Sequence, residues 1–179
     1  MFNQFTSLLQ QKLYRLIIIG SILFLLISFI IFGMITYIIV SGTSMQPTVM
    51  SGQYVLVNRL TYTIVDPQRG DIIIFPSPIN SDQRLIKRII GLPSETIEFR
   101  ATEVYIDGQL LIEPYLLEPC TVEHCRDGFW QLANDEVFVL GDNRNQSSDS
   151  RVFGSISLRD IAGQAILRYY PLSQVKWLD

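Results

Sequence analysis

The chain has 179 residues, of which 48% are hydrophobic and 17% charged, with a net charge of −3. This hydrophobic content excludes a disordered chain, and no basic patch dominates, which argues against a nucleic-acid partner. No Asp, Glu, Lys or Arg lies between residues 16 and 58, which argues against a chain that is soluble over its whole length.

The first predicted element is an apolar run of 25 residues, 16–40. A bilayer core requires about 20 such residues. The apolar part of a cleavable signal is shorter, about 7–15 residues, and ends at a small-residue cleavage site, which this run lacks. A buried core helix would need partner segments that the chain does not contain. We therefore predict an uncleaved transmembrane anchor over residues 16–37, with a strand favoured by the β-branched end of the run, 35–40.

The charges beside the anchor predict its orientation. Lys12 and Arg15 directly precede the run, and the next positive residue is Arg59. Since positive flanks stay on the cytoplasmic side, we expect residues 1–15 in the cytoplasm and residues 38–179 outside. We expect the anchor to contact lipid as a single pass, in the cell (plasma or inner) membrane or in a thylakoid membrane.

The segment beyond the anchor predicts β structure. Short β-branched runs alternate with Gly/Pro turns, which is typical of a mainly antiparallel folded sheet or barrel-like domain. Asp107-Gly108 between two such runs is a strong hairpin signal. The predicted strands cover residues 54–57, 71–75, 85–90, 102–106, 109–112, 137–140 and 165–170.

Two cysteines, Cys120 and Cys125, are separated by four residues in CTVEHC. Outside the cell they are free to form a disulfide that closes a short loop. A metal site with His124 is a second interpretation, although no fourth ligand is visible, and two free thiols are a third.

Ser44 is the first candidate for chemistry. It lies in Ser41-Gly42-Thr43-Ser44, a run of small residues that suits a tight turn with a hydroxyl at its tip. Backbone N–H groups in such a turn can stabilise an oxyanion. His124 is the only histidine, so a Ser-His-Asp triad would have to use the cysteine loop. An ordinary Ser/Thr turn is the alternative interpretation.

Lys87 is the second candidate, within the apolar strand 85–90. Alternation places Leu85, Lys87 and Ile89 on one face. Burial lowers the pKa of a lysine, so that it can accept a proton from a serine, whereas Arg88 stays protonated. The alternative is an edge strand whose cations reach water.

The polar stretch 141–151 is the third candidate. It follows an apolar strand and contains two acids and two arginines that can form an ion-pair network. Ser147 or its neighbours can hold a lysine amine by a hydrogen bond. A solvated loop is the alternative. The charged residues concerned are Asp142, Arg144, Asp149 and Arg151.

Taken together, these stretches resemble the type I signal peptidases, membrane-anchored serine proteases that remove signal peptides from exported proteins. The resemblance runs from the anchor to about residue 160. It is carried by Ser44-Met45-x-Pro47-Thr48, by Arg69-Gly70-Asp71 with its following strand, by Lys87-Arg88-Ile89-Ile90-Gly91-Leu92-Pro93, and by Gly141-Asp142-Asn143-Arg144 with Ser147, Asp149-Ser150-Arg151 and Gly154.

The resemblance implies a Ser/Lys dyad and no cofactor or metal. Ser44 would be the nucleophile, Lys87 the general base, and the Ser44 backbone N–H an oxyanion donor. Ser147 would orient Lys87, and the four charged residues of 141–151 would support the site. The implied substrates are exported preproteins, bound as an added strand. Their small −1 and −3 residues would lie in pockets lined by Met45, Val49 and Ile86.

Two departures from the family pattern stand out. Gly42 occupies a position where some members have a serine that contributes to the oxyanion hole, so the second donor is unassigned. Pro93-Ser94-Glu95 stands where Pro-Gly-Asp is usual. Two further hypotheses are a Ser/Lys processing protease with a narrow set of clients and an inactive, anchored β-domain that binds peptides.

Overall fold

The structure is a computed structural model, which describes the backbone of residues 2–178 and the side chains of residues 12–29 and 33–178. The chain forms two compact units, with the boundary in the sequence between Ile35 and Thr36.

The first unit is one long helix, α1, Phe2–Met34. Its segment Lys12–Phe29 is long and apolar enough to cross a membrane, and none of that segment is buried. The helix begins well before the predicted anchor and includes most of the segment predicted to be cytoplasmic. It ends at Met34 because the β-branched residues that follow favour strand, as the sequence predicts.

The second unit is built mainly of strands with two short helices. The helices are α2, Thr61–Ile64, and α3, Ser150–Phe153, and single 3₁₀ turns occupy Arg144–Gln146, Leu158–Asp160 and Leu172–Gln174. The strands are β1 Ile35–Ile39, β2 Tyr54–Asn58, β3 Ile72–Pro76, β4 Arg84–Gly91, β5 Thr96–Arg100, β6 Glu103–Ile106, β7 Gln109–Leu110, β8 Gly128–Gln131, β9 Glu136–Leu140, β10 Ile156–Ser157, β11 Gly163–Tyr170 and β12 Lys176–Trp177.

The strands form two sheets. The larger has the order β1-β2-β11-β3-β4-β9-β10, with β12 also paired to β11, and the smaller has the order β7-β6-β5-β8. The pairs β3–β4, β4–β9 and β5–β6 are all antiparallel. The prediction of a mainly antiparallel β domain after an apolar helix is therefore confirmed.

Strand β4 connects the parts of the core because its two faces pack into different clusters. Ile86 packs in a cluster with Ile74 of β3, whereas Ile89 packs in another with Ile73. Lys87 is the partner of Ile73 in the β3–β4 register. The predicted alternation along this strand is thus observed, and it directs the lysine into the protein rather than to water.

Candidate active site

A tight turn carries Ser44. Gly42 has φ +90°, in the left-handed region that favours glycine, which is a physical reason for a glycine at this position. Gln46 N donates to Thr43 O at 3.1 Å, and Val49 N donates to Met45 O at 2.9 Å. These bonds close the turn around Ser44 and fix its backbone.

The loop after β9 holds the same turn from the other side. Asn143 N donates to Ser44 O at 3.0 Å, and Asn143 Nδ2 donates to Thr43 O at 3.3 Å. Thr43 Oγ1 also donates to Gln146 Oε1 at 3.0 Å. Two segments about 100 residues apart in the sequence therefore set the position of Ser44 together.

Lys87 lies in β4 and is only 3% exposed. Its Nζ lies 2.8 Å from Ser44 Oγ and donates a second hydrogen bond to Ile86 O at 3.0 Å. The structure thus brings together the two residues that the sequence predicts as a dyad, within the distance needed for proton transfer.

Burial lowers the pKa of Lys87 to about 8, because an ammonium group loses its hydration inside the protein. The carboxylates of Asp149 and Asp142 act in the opposite direction, and the charge of Arg151 lowers the pKa further. A substantial share of Lys87 is therefore neutral in mildly alkaline solution, where its amine can accept a proton.

A cleft of about 310 Å³ opens beside the pair. Ser44 and Lys87 both line it, and apart from Lys87 the charged residue in its lining is Arg84. The remaining lining is small or apolar: Ile38, Ile39, Val40, Ser41, Ile74, Leu85 and Ile86. A peptide with small side chains suits such a lining better than a bulky or strongly charged ligand.

The three residues predicted to line substrate pockets occupy different places. Ile86 lines the cleft. Met45 and Val49 differ from the prediction, because they are 1% and 0% exposed and belong to the core cluster that contains Ile86. Their side chains face inward since the turn directs them against β2 and β3, so they support the cleft from behind.

Ser147 is half-buried beside Gly141, and its Oγ, which is itself buried, forms no hydrogen bond. A Cβ atom added to Gly141 would lie 2.3 Å from Ser147 Oγ and 2.4 Å from Ser44 O. Gly141 therefore permits a close approach of Ser147 to the backbone of Ser44. The bonds of Lys87 Nζ go to Ser44 and Ile86, so the predicted orienting bond from Ser147 is not formed in this structure.

The four charged residues of 141–151 do not form one network among themselves. Asp142 pairs with Arg88 of β4 at 2.8 Å, with side chains 1% and 3% exposed. Arg144 pairs with Glu113, and only Asp149 and Arg151 pair with each other, at 2.8 Å. The loop is thus tied to other parts of the domain by two of its ion pairs and to itself by the third.

Three further residues belong to the site, although the sequence predicts no role there for any of them: Arg88, Glu113 and Gly141. Arg88 adjoins Lys87 and points to the opposite face, where its guanidinium also lies 4.1 Å from the centre of the Tyr115 ring. An arginine next to a buried lysine is a signal for a buried acid nearby, but the sequence does not show which acid it meets.

Cys120 and Cys125 are joined by a disulfide. This excludes the free thiols and the metal site with His124, whose Nδ1 lies 2.9 Å from Thr121 Oγ1. Among the residues that the structure describes, no group of three or more His, Cys, Asp and Glu side chains is arranged to hold a metal ion.

Residues 11–170 match the family described as "Signal peptidase, peptidase S26". The chain belongs to this signal peptidase family. It is therefore a serine endopeptidase, and its apolar helix is consistent with the membrane anchoring of signal peptidases.

Individual signal peptidases are similar over most of the chain. A probable signal peptidase I-1 of Synechocystis sp. is 38% identical over 142 residues, which cover 75% of this chain and 71% of that protein. Signal peptidase I S of Bacillus subtilis is 34% identical over 171 residues, 90% of each chain. The crystal structure of a signal peptidase I from Enterococcus faecalis matches with a TM-score of 0.50 and 39% identity, over 56% of this chain and 97% of that chain.

Proposed function

We propose that this signal peptidase removes N-terminal signal peptides from exported preproteins, with Ser44 as nucleophile and Lys87 as general base. The 2.8 Å contact between Lys87 Nζ and Ser44 Oγ at the cleft carries the proposal. A buried amine whose pKa is lowered to about 8 can accept a proton without a histidine.

The reaction begins with neutral Lys87, whose lone pair accepts the hydrogen bond of the Ser44 hydroxyl. As Ser44 Oγ attacks the scissile carbonyl carbon, its proton passes to Lys87 Nζ, and the carbonyl oxygen gains the negative charge. The Ser44 backbone N–H stabilises that charge. Lys87 then returns the proton to the leaving amine, and water, deprotonated by the same lysine, releases the signal peptide from the serine ester.

Substrate selection follows from the lining of the cleft. We infer that the preprotein lies there as an extended strand, because residues of strands β1 and β4 border the cleft. Ile86, supported by the buried Met45 and Val49, leaves room for small side chains at −1 and −3. The buried pairs of Arg88 with Asp142 and of Arg151 with Asp149 keep the loop beside the dyad in place.

The apolar helix is proposed as a single membrane anchor with residues 1–15 in the cytoplasm and the β unit outside. The unequal distribution of positive residues supports this orientation. A protease added to intact cells or spheroplasts is expected to digest the β unit while the membrane remains closed. Protection of the β unit until the membrane is opened would contradict the orientation.

A panel of unrelated preproteins tests the breadth of the activity. The proposal predicts cleavage of most of them after small residues, and loss of cleavage when the −1 residue is replaced by a bulky one. Cleavage of a single client would instead identify a narrow processing protease. A folded protein that neither cleaves the panel nor is labelled at Ser44 by a serine-reactive inhibitor would be a peptide-binding domain.

A further inference from the structure

The disulfide loop and the loop after β9 meet at Arg151. Its Nη1 lies 3.1 Å from Cys125 Sγ and 3.6 Å from Cys120 Sγ, and it donates to His124 O at 3.0 Å. On its other side, Nε and Nη2 each donate to the carboxylate of Asp149 at 2.8 Å. One guanidinium therefore joins the disulfide to a fully buried acid.

From Asp149 the contacts continue to the catalytic pair. Gly141 N donates to Asp149 Oδ2 at 3.1 Å, and Gly141 is the residue that packs against Ser147 Oγ and Ser44 O. Arg151 Nη2 also donates to Arg144 O at 2.8 Å and to Ser147 O at 3.3 Å. A shift of Arg151 would therefore reach the backbone around Ser147 and Ser44.

Two further observations make the disulfide loop a rigid partner. Thr121 N donates to Asn145 Oδ1 at 2.9 Å, and Asn145 Nδ2 donates to Glu118 Oε1 at 2.8 Å. Both cysteines are buried in the hydrophobic cluster that contains Leu140, the residue before Gly141. The loop is thus anchored on the core as well as on the loop after β9.

We propose that the Cys120–Cys125 disulfide is a positioning element for the Ser44–Lys87 pair, and that it acts through Arg151. The inference rests on the proposed function of that pair. A dithiol reductant would open the bond by thiol–disulfide exchange: it supplies two electrons and two protons, is itself oxidised to a disulfide, and leaves two thiols. The two sulfurs are then no longer bonded, and Arg151 Nη1 loses the disulfide as a fixed contact.

The charges around Lys87 give this change a specific consequence. Asp149 and Asp142 raise the pKa of Lys87, whereas Arg151 lowers it. Asp142 remains held by Arg88, so its contribution stays in place. If Arg151 moves away from Asp149, the carboxylate is less neutralised and favours protonated Lys87 more strongly. The acid limb of the pH–rate profile then shifts to higher pH.

The test compares the full-length protein in detergent with and without a dithiol reductant, using a peptide with a signal-peptidase cleavage site. We expect reduction to lower kcat by about tenfold, since small displacements of reacting groups have effects of this size or larger, and to shift the acid limb upward. KM should change little, because the apolar residues that line the cleft lie outside the disulfide loop and the loop after β9. The double variant Cys120→Ser/Cys125→Ser should behave like reduced wild type and be insensitive to the reductant.

Arg151→Lys provides the second arm, because lysine keeps the charge but cannot contact Asp149 and the sulfurs at once. It should show the same shift of the acid limb, and adding the two serine substitutions should have little further effect. The matched control is Arg126→Lys, which changes an exposed arginine directly after Cys125. It should leave kcat and the pH profile unchanged. If the serine variant does not fold, Arg151→Lys carries the same prediction.

Reduced wild type that stays folded and keeps both its kcat and its acid limb would overturn the inference. A reduced protein that is less stable and less active, but whose acid limb is unchanged, would show that the disulfide has a purely structural role. That result would also overturn the inference. Failure of the proposed function is distinguishable, because Lys87→Ala would then stay active in the oxidised protein.

Discussion

Lys87 combines burial with contact to a hydroxyl, and this combination separates a proposed general base from a surface lysine. A side chain 3% exposed loses hydration, and the loss lowers the pKa to about 8. The neighbouring Arg88 is equally buried, but its guanidinium pairs with the carboxylate of Asp142. Two adjacent cations in one strand thus have opposite tasks, one chemical and one structural.

The first prediction concerns the pH dependence of the reaction. Lys87 must be neutral to accept the serine proton, so kcat/KM should rise with pH through about 8 and then level off. The measurement is kcat/KM for one peptide substrate from pH 6 to 10, with Ser44→Ala as the baseline. A rate that is constant across this range would contradict an unprotonated lysine base.

The second prediction concerns Gly141→Ala. The added methyl group would lie 2.3 Å from Ser147 Oγ and 2.4 Å from a backbone oxygen of Ser44, so one of the two must move. We expect kcat/KM to fall by about 100-fold, because a displacement near 1 Å of a reacting group has that effect. Gly20→Ala is the control and should retain full activity, because its added methyl group meets nothing within 4 Å beyond its chain neighbours and the backbone of its own helix.

At the level of elements, patterns within a short stretch were sufficient for most strands. Seven predicted strands of the β domain are present within two residues of their predicted bounds, and Asp107 and Gly108 both have the positive φ expected for the hairpin. Strands β5 and β8 were missed, as were the two-residue strands β10 and β12. Thr96–Arg100 does alternate polar and apolar residues, but Gly128–Gln131 is a strand mainly because β5 pairs with it.

The sequence predicts a site residue when a single motif contains it. It does not predict which residues of two distant segments contact each other. Ser44 and Lys87 come from separate recognisable motifs. The pairing of Arg88 with Asp142 and of Arg144 with Glu113 joins residues 54 and 31 positions apart. A charge pattern shows that buried arginines need acids, but it does not show which strand or loop supplies them. The inward positions of Met45 and Val49 also depend on the folded turn.

The third prediction concerns the buried pair that joins β4 to the loop after β9. Asp142→Ala would leave the Arg88 charge buried without its carboxylate, which should lower the free energy of unfolding by about 3–5 kcal/mol. Chemical denaturation followed by tryptophan fluorescence measures this. Arg100→Ala is the control, because it removes an exposed ion pair with Glu98 and should leave the denaturant midpoint of unfolding unchanged. Equal effects of the two variants would contradict the structural role of the buried pair.

At the level of the whole molecule, the uneven charge of the sequence follows from its two units. The uncharged segment 16–58 includes the apolar part of α1, β1, the turn of Ser44 and β2. The turn therefore lies in an apolar sequence context directly after the proposed anchor. Lys87 is one of several buried charged residues of the second unit, and the cost of its burial opposes folding. We propose that this cost is retained because the buried amine serves catalysis.

The fourth prediction concerns the cost of burying Lys87 to the free energy of unfolding. The pKa of Lys87 is about 8 in the folded protein and near 10.5 when exposed. The unfolded chain thus binds the proton more tightly, and stability due to this group rises between pH 8 and 10.5. At pH 7, Lys87→Met should raise the free energy of unfolding by about 1–3 kcal/mol. Denaturation at pH 7 and pH 10.5 measures the effect; Ser44→Ala is the control. A lower free energy of unfolding for Lys87→Met at pH 7 would show that burial of Lys87 does not oppose folding.

The most direct test of the central claim is cleavage of a model preprotein, in detergent or lipid, by wild type, Ser44→Ala and Lys87→Ala. We expect wild type to release the mature protein at the normal site. Each variant should be folded and slower by a factor of about 10⁴ or more, because a nucleophile and its base act as one unit. Cleavage at the same site by folded Lys87→Ala, at a rate near that of wild type, would contradict the Ser/Lys mechanism.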